Sequence, residues 1–164
     1  MNREEEPRAA TGAKKKRILV VDDDSSVREV LAHVLFDEGY LALTAADGPQ
    51  ALEIAAKTQI DLVLLDLNMP GQSGWETLQQ LATDNPLLAV IIVTARPGQL
   101  FKALGAGVGA LLEKPLDYEK MLQTMRTLLD ESPQVRLARR AGHRADFHYL
   151  ASCAGPSRPG WRPN

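Results

Sequence analysis

The sequence predicts an α/β fold: a doubly wound, five-stranded parallel sheet with helices on both faces. Two observations carry that reading. Five apolar runs of strand length punctuate the chain, and segments of helical period lie between them. Such strict alternation is satisfied by a parallel sheet whose right-handed crossovers put helices on each side.

The predicted strands are Ile18–Val21, Leu41–Ala45, Leu62–Leu65, Ala89–Val93 and Ala110–Leu112. The first helix follows from Val27, Val30, Leu31, Val34 and Leu35, one stripe at helical spacing, with Ser26 and Glu29 as a capping box. Asp24 is a further turn or cap residue. Asp47 caps the second helix, Ala51 to Lys57, with Pro49 in its first turn. Trp75, Leu78, Leu81 and Ala82 form the inner face of a third, which stops before Pro86. A fourth, Gln99 to Leu104, is cut short by Gly105 and Gly107. Met121, Leu122, Met125, Leu128 and Leu129 face inward from the fifth.

Composition narrows the class. The 164 residues are 45% apolar, enough for one domain with a packed core. The single cysteine, Cys153, excludes an internal disulfide and fits a reducing compartment. No apolar stretch approaches the roughly 20 residues that span a bilayer, and no signal-peptide pattern opens the chain. The expected setting is cytoplasmic. Charge is unevenly spread. Residues 1–17 carry six Lys/Arg against three Glu, residues 18–132 seven against seventeen Asp/Glu, and residues 133–164 six Arg against one Asp. An acidic middle suits a cation, and the basic ends leave open a contact with nucleic acid or an acidic partner. The domain is expected over residues 17–131. Residues 1–16 read as a disordered basic tail, and residues 132–164 as a basic extension, either loosely ordered or one amphipathic helix. In that helix Val135, Leu137, Phe147, Tyr149 and Leu150 would dock.

Polar residues collect at one edge of the predicted sheet. Strand one runs into Asp22, Asp23 and Asp24, strand three ends in Asp66, strand four in Thr94, and strand five is followed by Glu113, Lys114 and Pro115. Open parallel sheets bind ligands at the carboxyl ends of their strands. Asp22, Asp23 and Asp66 together would place like charges within a few Å, which calls for a compensating cation. An all-oxygen site of few protein ligands suits Mg²⁺ or Mn²⁺. With the metal bound, one carboxylate can attack phosphorus and form an aspartyl phosphate. Lys114 can neutralise a phosphoryl oxygen and the Thr94 hydroxyl can donate to another.

These segments resemble the receiver domains of two-component response regulators over about residues 15–131. "ILVVDDD" is similar to the family's first strand and acidic pair, so Asp22 and Asp23 match its metal-binding acids. "LVLLDLNMPGQSG" resembles the phosphorylation segment. It puts Asp66 at the phospho-acceptor, Asn68 at the position whose backbone carbonyl ligates Mg²⁺, and Gly74 at the glycine opening the third helix. "VIIVTA" puts Thr94 at the switch hydroxyl, and "EKPL" puts Lys114 at the phosphate-binding lysine before a cis proline bond. The resemblance implies a flavodoxin-like sheet of order 2-1-3-4-5. It also implies a phosphoryl donor, either a histidine kinase or a histidine phosphotransfer protein, and an unknown downstream protein. Two positions depart from the pattern. Leu111 stands where the family carries an aromatic switch residue, and the stretch from Thr94 to Lys114 is short, so a family-style dimer on that face is not expected.

The leading expectation is a stand-alone, non-enzymatic receiver phosphorylated on Asp66, signalling through Thr94, Lys114 and the loop Ala95 to Gly98. Two alternatives stand beside it. An aspartate-nucleophile phosphatase would carry a second acid two residues after the nucleophile, and Asn68 cannot serve as one. A phosphorylation-independent adaptor or nucleic-acid binder would work through the basic tail.

Overall fold

The computed structural model describes residues 12–71, 73–96, 98–143 and 147–152. The elements run β1 (Arg17–Val21), α1 (Ser25–Asp37), β2 (Leu41–Ala45), α2 (Gly48–Lys57), β3 (Leu62–Asp66) and α3 (Gly74–Asp84). They continue with β4 (Ala89–Thr94), α4 (Leu100–Gly105), β5 (Ala110–Glu113), α5 (Tyr118–Asp130), α6 (Pro133–Arg140) and β6 (His148–Leu150). The sheet is parallel throughout and ordered β2-β1-β3-β4-β5-β6. The expected five strands and their order are present, and a sixth strand is added at the β5 edge.

Alternation along the strands builds two cores. Ile18, Val20, Leu62, Leu64, Ile91, Val93 and Leu112 meet Leu31 and Leu35 of α1 and Met121, Met125 and Leu128 of α5. Leu19, Val21, Val63, Leu65, Ile92 and Leu111 meet Ala51 of α2, Leu78 and Leu81 of α3, and Ala103 of α4 on the opposite face. Both faces of β3 and β4 are buried along their whole length, which explains their unbroken apolar runs. The N-terminal ends of all six strands point to one edge. There Lys14, Lys15, Lys16 and Arg17 line a shallow cavity with Gln59 and Asp61.

Helix ends follow local chemistry, with two departures from expectation. The α1 cap is Asp24, whose carboxylate accepts from the N–H groups of Ser26 and Val27, so Ser26 lies inside the helix. A carboxylate two residues earlier satisfies the first orphan donors of the longer helix and adds charge favourable to its N-terminus. Val30, placed in the inner stripe, is 44% exposed, at the margin of that stripe. Asp47 caps α2 through Gln50 N–H as expected. The α3 box formed by Ser73 and Glu76 was not anticipated.

The C-terminal extension departs most from its expected form. The basic helix ends at Arg140, with Gly142 in a left-handed conformation (φ 84°), and the chain returns as β6. Arginines, not aliphatic residues, hold α6 down. Arg136 donates to the carbonyls of Leu87, Leu128 and Leu129, and Arg139 pairs with Glu131 while only 7% exposed. Val135 and Leu137 face solvent. Of the residues expected to dock, Phe147 and Leu150 do pack, one on each core cluster, and Tyr149 is 42% exposed. Residues 1–11 of the expected disordered tail, Cys153 and residues 154–164 lie outside the described residues.

Gly107 allows α6 its approach. Its φ is +70°, and a Cβ there would sit 3.0 Å from the Arg140 Cα. Gly107→Ala combines a left-handed strain with a backbone clash. The expected outcome is a loss of about 2 kcal/mol or more in urea unfolding. Amide exchange should rise first in residues 133–140.

Candidate functional site

Four strands deliver the candidate residues to one edge, as parallel alignment requires. Asp22 and Asp23 follow β1, Asp66 is the last residue of β3, Thr94 the last of β4, and Lys114 follows β5. Asp22 and Asp66 are each 3% exposed and Thr94 is fully buried, while Asp23 faces solvent. One carboxylate oxygen from each of Asp22, Asp23 and Asp66 lies within 4.8 Å of the others. The Lys114 ammonium bridges two of them, at 2.8 Å from Asp22 Oδ2 and 3.3 Å from Asp66 Oδ2.

Backbone donors fix the remaining carboxylate oxygens. Asp22 Oδ1 accepts from Asp24 N–H at 2.9 Å, and Asp66 Oδ1 accepts from Asn68 N–H at 2.8 Å. Thr94 Oγ1 accepts from Arg96 N–H at 3.0 Å, which leaves its hydroxyl proton to donate elsewhere. Lys114 N–H donates to the Thr94 carbonyl at 2.8 Å, tying the ends of β4 and β5 together. The Lys114–Pro115 peptide is cis. Asn68 Oδ1 is buried without a partner, a polar atom held beside the acidic cluster.

Electrostatics set the acids against one another. Burial pushes the Asp66 carboxyl up. The Asn68 N–H and the Lys114 charge pull it back, the Asp22 charge raises it again, and the balance stands above the usual aspartate value. Burial works against the Lys114 ammonium, but its bonds to Asp22 and Asp66 outweigh that, so its pKa lies above the ordinary lysine value. Lys114 therefore stays charged, and a single ammonium faces three clustered carboxylates. The oxygen-only donor set, with one acid open to solvent, fits a hard divalent cation that retains waters.

One contributor escaped the sequence reading, and another was placed without its physical reason. Arg28 donates from Nη1 to the Asp22 carbonyl at 2.7 Å, bracing the acidic turn from α1. Its place in the first turn of the helix that follows the acids was the available signal. Gly74 lets α3 begin against the acceptor's own backbone: a Cβ there would lie 2.8 Å from the Asp66 carbonyl oxygen and 2.7 Å from Leu67 Cα. Sequence matching placed this glycine, but only the structure shows what it makes room for.

A doubly wound sheet with buried acids, a lysine and a hydroxyl at its carboxyl edge defines the class of open α/β domains that bind a ligand at that edge. Comparison narrows the class to one family. The profile of the response regulator receiver domain matches residues 18–126, and the chain belongs to that family. It is 40% identical over 115 residues to the response regulator MprA of Mycobacterium sp. strain KMS, covering 66% of this chain and 50% of that one. It is 36% identical over 106 residues to the sensory transduction protein RegX3 of Mycolicibacterium smegmatis, covering 63% and 46%. The chain thus spans about half the length of the curated relatives it matches. A CheY-like receiver domain from Methanospirillum hungatei superposes with TM-score 0.68 at 30% identity, covering 71% of this chain and 94% of the other. The response regulator TrrA of Thermotoga maritima, crystallised in complex with Mg²⁺–BeF, gives TM-score 0.65 at 32% identity, covering 69% and 98%. Receiver domains are signalling modules of two-component systems that bind Mg²⁺ at an acidic pocket. They generally interact with histidine kinases or phosphotransfer proteins and are generally not enzymes. Among the described residues no helix is long and apolar enough to cross a membrane.

A desolvated carboxylate next to a second one costs stability. In chelator, Asp66→Asn should raise the thermal midpoint by a few degrees, a gain of order 1 kcal/mol, because Lys114 keeps Asp22 as its partner. Differential scanning calorimetry of the two proteins in EDTA measures it.

Proposed function

We propose that this chain accepts a phosphoryl group on Asp66 from a phosphohistidine of a histidine kinase or phosphotransfer protein, and passes the signal to a protein partner. One observation carries the reading: Asp66 is buried, desolvated and bridged by Lys114 at the edge where Asp22, Asp23 and Thr94 also converge. A structural aspartate needs none of these neighbours.

The chemistry follows from their places. An Asp66 carboxylate oxygen attacks phosphorus, an O–P bond forms, the donor's P–N bond breaks, and the imidazole nitrogen leaves with the electron pair. Lys114 turns from Asp22 and Asp66 to a phosphoryl oxygen, and the Thr94 hydroxyl donates to another. Asp22, Asp23, Asp66 and the Asn68 backbone carbonyl would hold Mg²⁺ or Mn²⁺, which when bound offsets the charge of the incoming group. Phosphorylation then shifts a pre-existing equilibrium of the β4–α4 and β5–α5 segments. A cytoplasmic setting agrees with the donor class. The nucleic-acid reading loses support because three of the six arginines after residue 132, Arg136, Arg139 and Arg140, are bonded to the domain's own carbonyls and Glu131.

Acetyl phosphate with Mg²⁺ should shift the wild-type chain on a phosphate-affinity gel and leave Asp66→Ala unshifted. No wild-type shift, or equal shifts, would overturn the reading. Lys114→Ala should still bind metal but lose phosphorylation rate by about tenfold or more. Asp23→Asn should weaken Mg²⁺ binding by about tenfold or more in calorimetric titration, at least the loss caused by removing an outer-sphere partner.

A further inference from the structure

The sixth strand is attached to the sheet in an uneven way. It contributes only three residues, in register Ala110↔His148, Leu111↔Tyr149 and Leu112↔Leu150. A strand this short is marginal by backbone pairing alone. Phe147 and Leu150 pack on the two cores, and the polar hold on the segment is concentrated on one residue of β5. The Glu113 carboxylate accepts from the Tyr149 hydroxyl at 2.7 Å through Oε1 and from Ser152 N–H at 3.2 Å through Oε2. Both of its oxygens are thus committed to the returning chain.

Glu113 is also adjacent in sequence to a residue of the site. It precedes Lys114, whose ammonium bridges Asp22 and Asp66, and it lies in register with Thr94 on the same sheet face. The Lys114 N–H, the next peptide after Glu113, is bonded to the Thr94 carbonyl. Thr94 and Glu113 end β4 and β5, and Tyr149, the middle residue of β6, stands on the same face. A phosphoryl group on Asp66 draws the Lys114 ammonium and the Thr94 hydroxyl toward itself. Movement of Lys114 and Thr94 would shift the neighbouring Glu113, whose two carboxylate oxygens must both stay aligned, and a two-point clamp tolerates little displacement.

We infer that residues 147–152 form a strap on the β5 edge, clamped by Glu113 while Asp66 is unmodified and released when Asp66 is phosphorylated. The inference rests on the phosphorylation of Asp66 proposed above. Release uncovers the β5 edge, with the N–H and C=O groups that β6 now pairs, and opens the hollow that Leu112, Pro115 and Leu116 form with Tyr149 and Leu150 of the strap. An open edge of that kind accepts an extended segment of a partner. Tyr149 carries the hydroxyl that Leu111, directly opposite it, cannot offer.

The test is amide exchange of the full chain by mass spectrometry, with acetyl phosphate and Mg²⁺, and phosphoryl occupancy read from the intact mass. Protection across residues 147–152 and 109–113 should fall about tenfold or more on phosphorylation, with no change in Asp66→Asn. Tyr149→Phe should lower the same protection in the unmodified chain and shrink the phosphorylation-dependent difference. Full occupancy with unchanged or increased protection overturns the strap and leaves the phosphorylation reading standing. Unaltered protection in Tyr149→Phe overturns the clamp. Absence of a phosphoryl group from Asp66 overturns the function proposed above and the strap with it.

Discussion

The bridge from Lys114 to Asp22 and Asp66 is the interaction on which the rest of the site depends. Two nearly buried carboxylates at the ends of neighbouring strands repel each other, and burial penalises both. A single ammonium, reached from β5 across β4, makes the arrangement tolerable. The same ammonium is the group best placed to meet an incoming anion. In the proposed phosphorylation, the cation that permits the acids to coexist is also the one that turns to the incoming anion.

Backbone geometry supports that bridge from beneath. Gly74 brings the start of α3 against the Asp66 carbonyl, and the Ser73–Glu76 box satisfies the helix end at that point. Arg28 braces the Asp22 carbonyl from α1. Asn68 N–H holds one Asp66 oxygen in place, so only the other is left to exchange partners. Each support comes from a different element. That is the usual benefit of building a site at strand ends, where several loops converge on a rigid sheet.

The strands and the candidate cluster were legible because buried parallel strands are written as unbroken apolar runs, and the polar residue ending each run marks the edge. Residues that act through the backbone were harder to read. Arg28 is one arginine on a solvated helix until its carbonyl partner is known. Ser26 looked like a cap because it precedes Glu29 at capping-box spacing, but the helix starts earlier and Asp24 accepts from the N–H groups of Ser26 and Val27. The extension was read as either loosely ordered or one basic amphipathic helix. Nothing local signals that those arginines satisfy carbonyls at the end of α5, or that a three-residue segment will pair with β5. Such pairing depends on tertiary context, which short strands do not encode in their own periodicity.

The basic cluster at the amino ends of the strands lies opposite the acids at their carboxyl ends. Lys14, Lys15, Lys16 and Arg17 occupy one end of the strand axis, and Asp22, Asp23, Asp24 and Asp66 the other. The domain is therefore an electric dipole aligned with its own strands. A charged partner exerts a torque on such a body before contact, turning the acidic end toward a cationic surface. The molecule arrives already oriented, and salt slows its encounters by weakening the torque as well as the attraction.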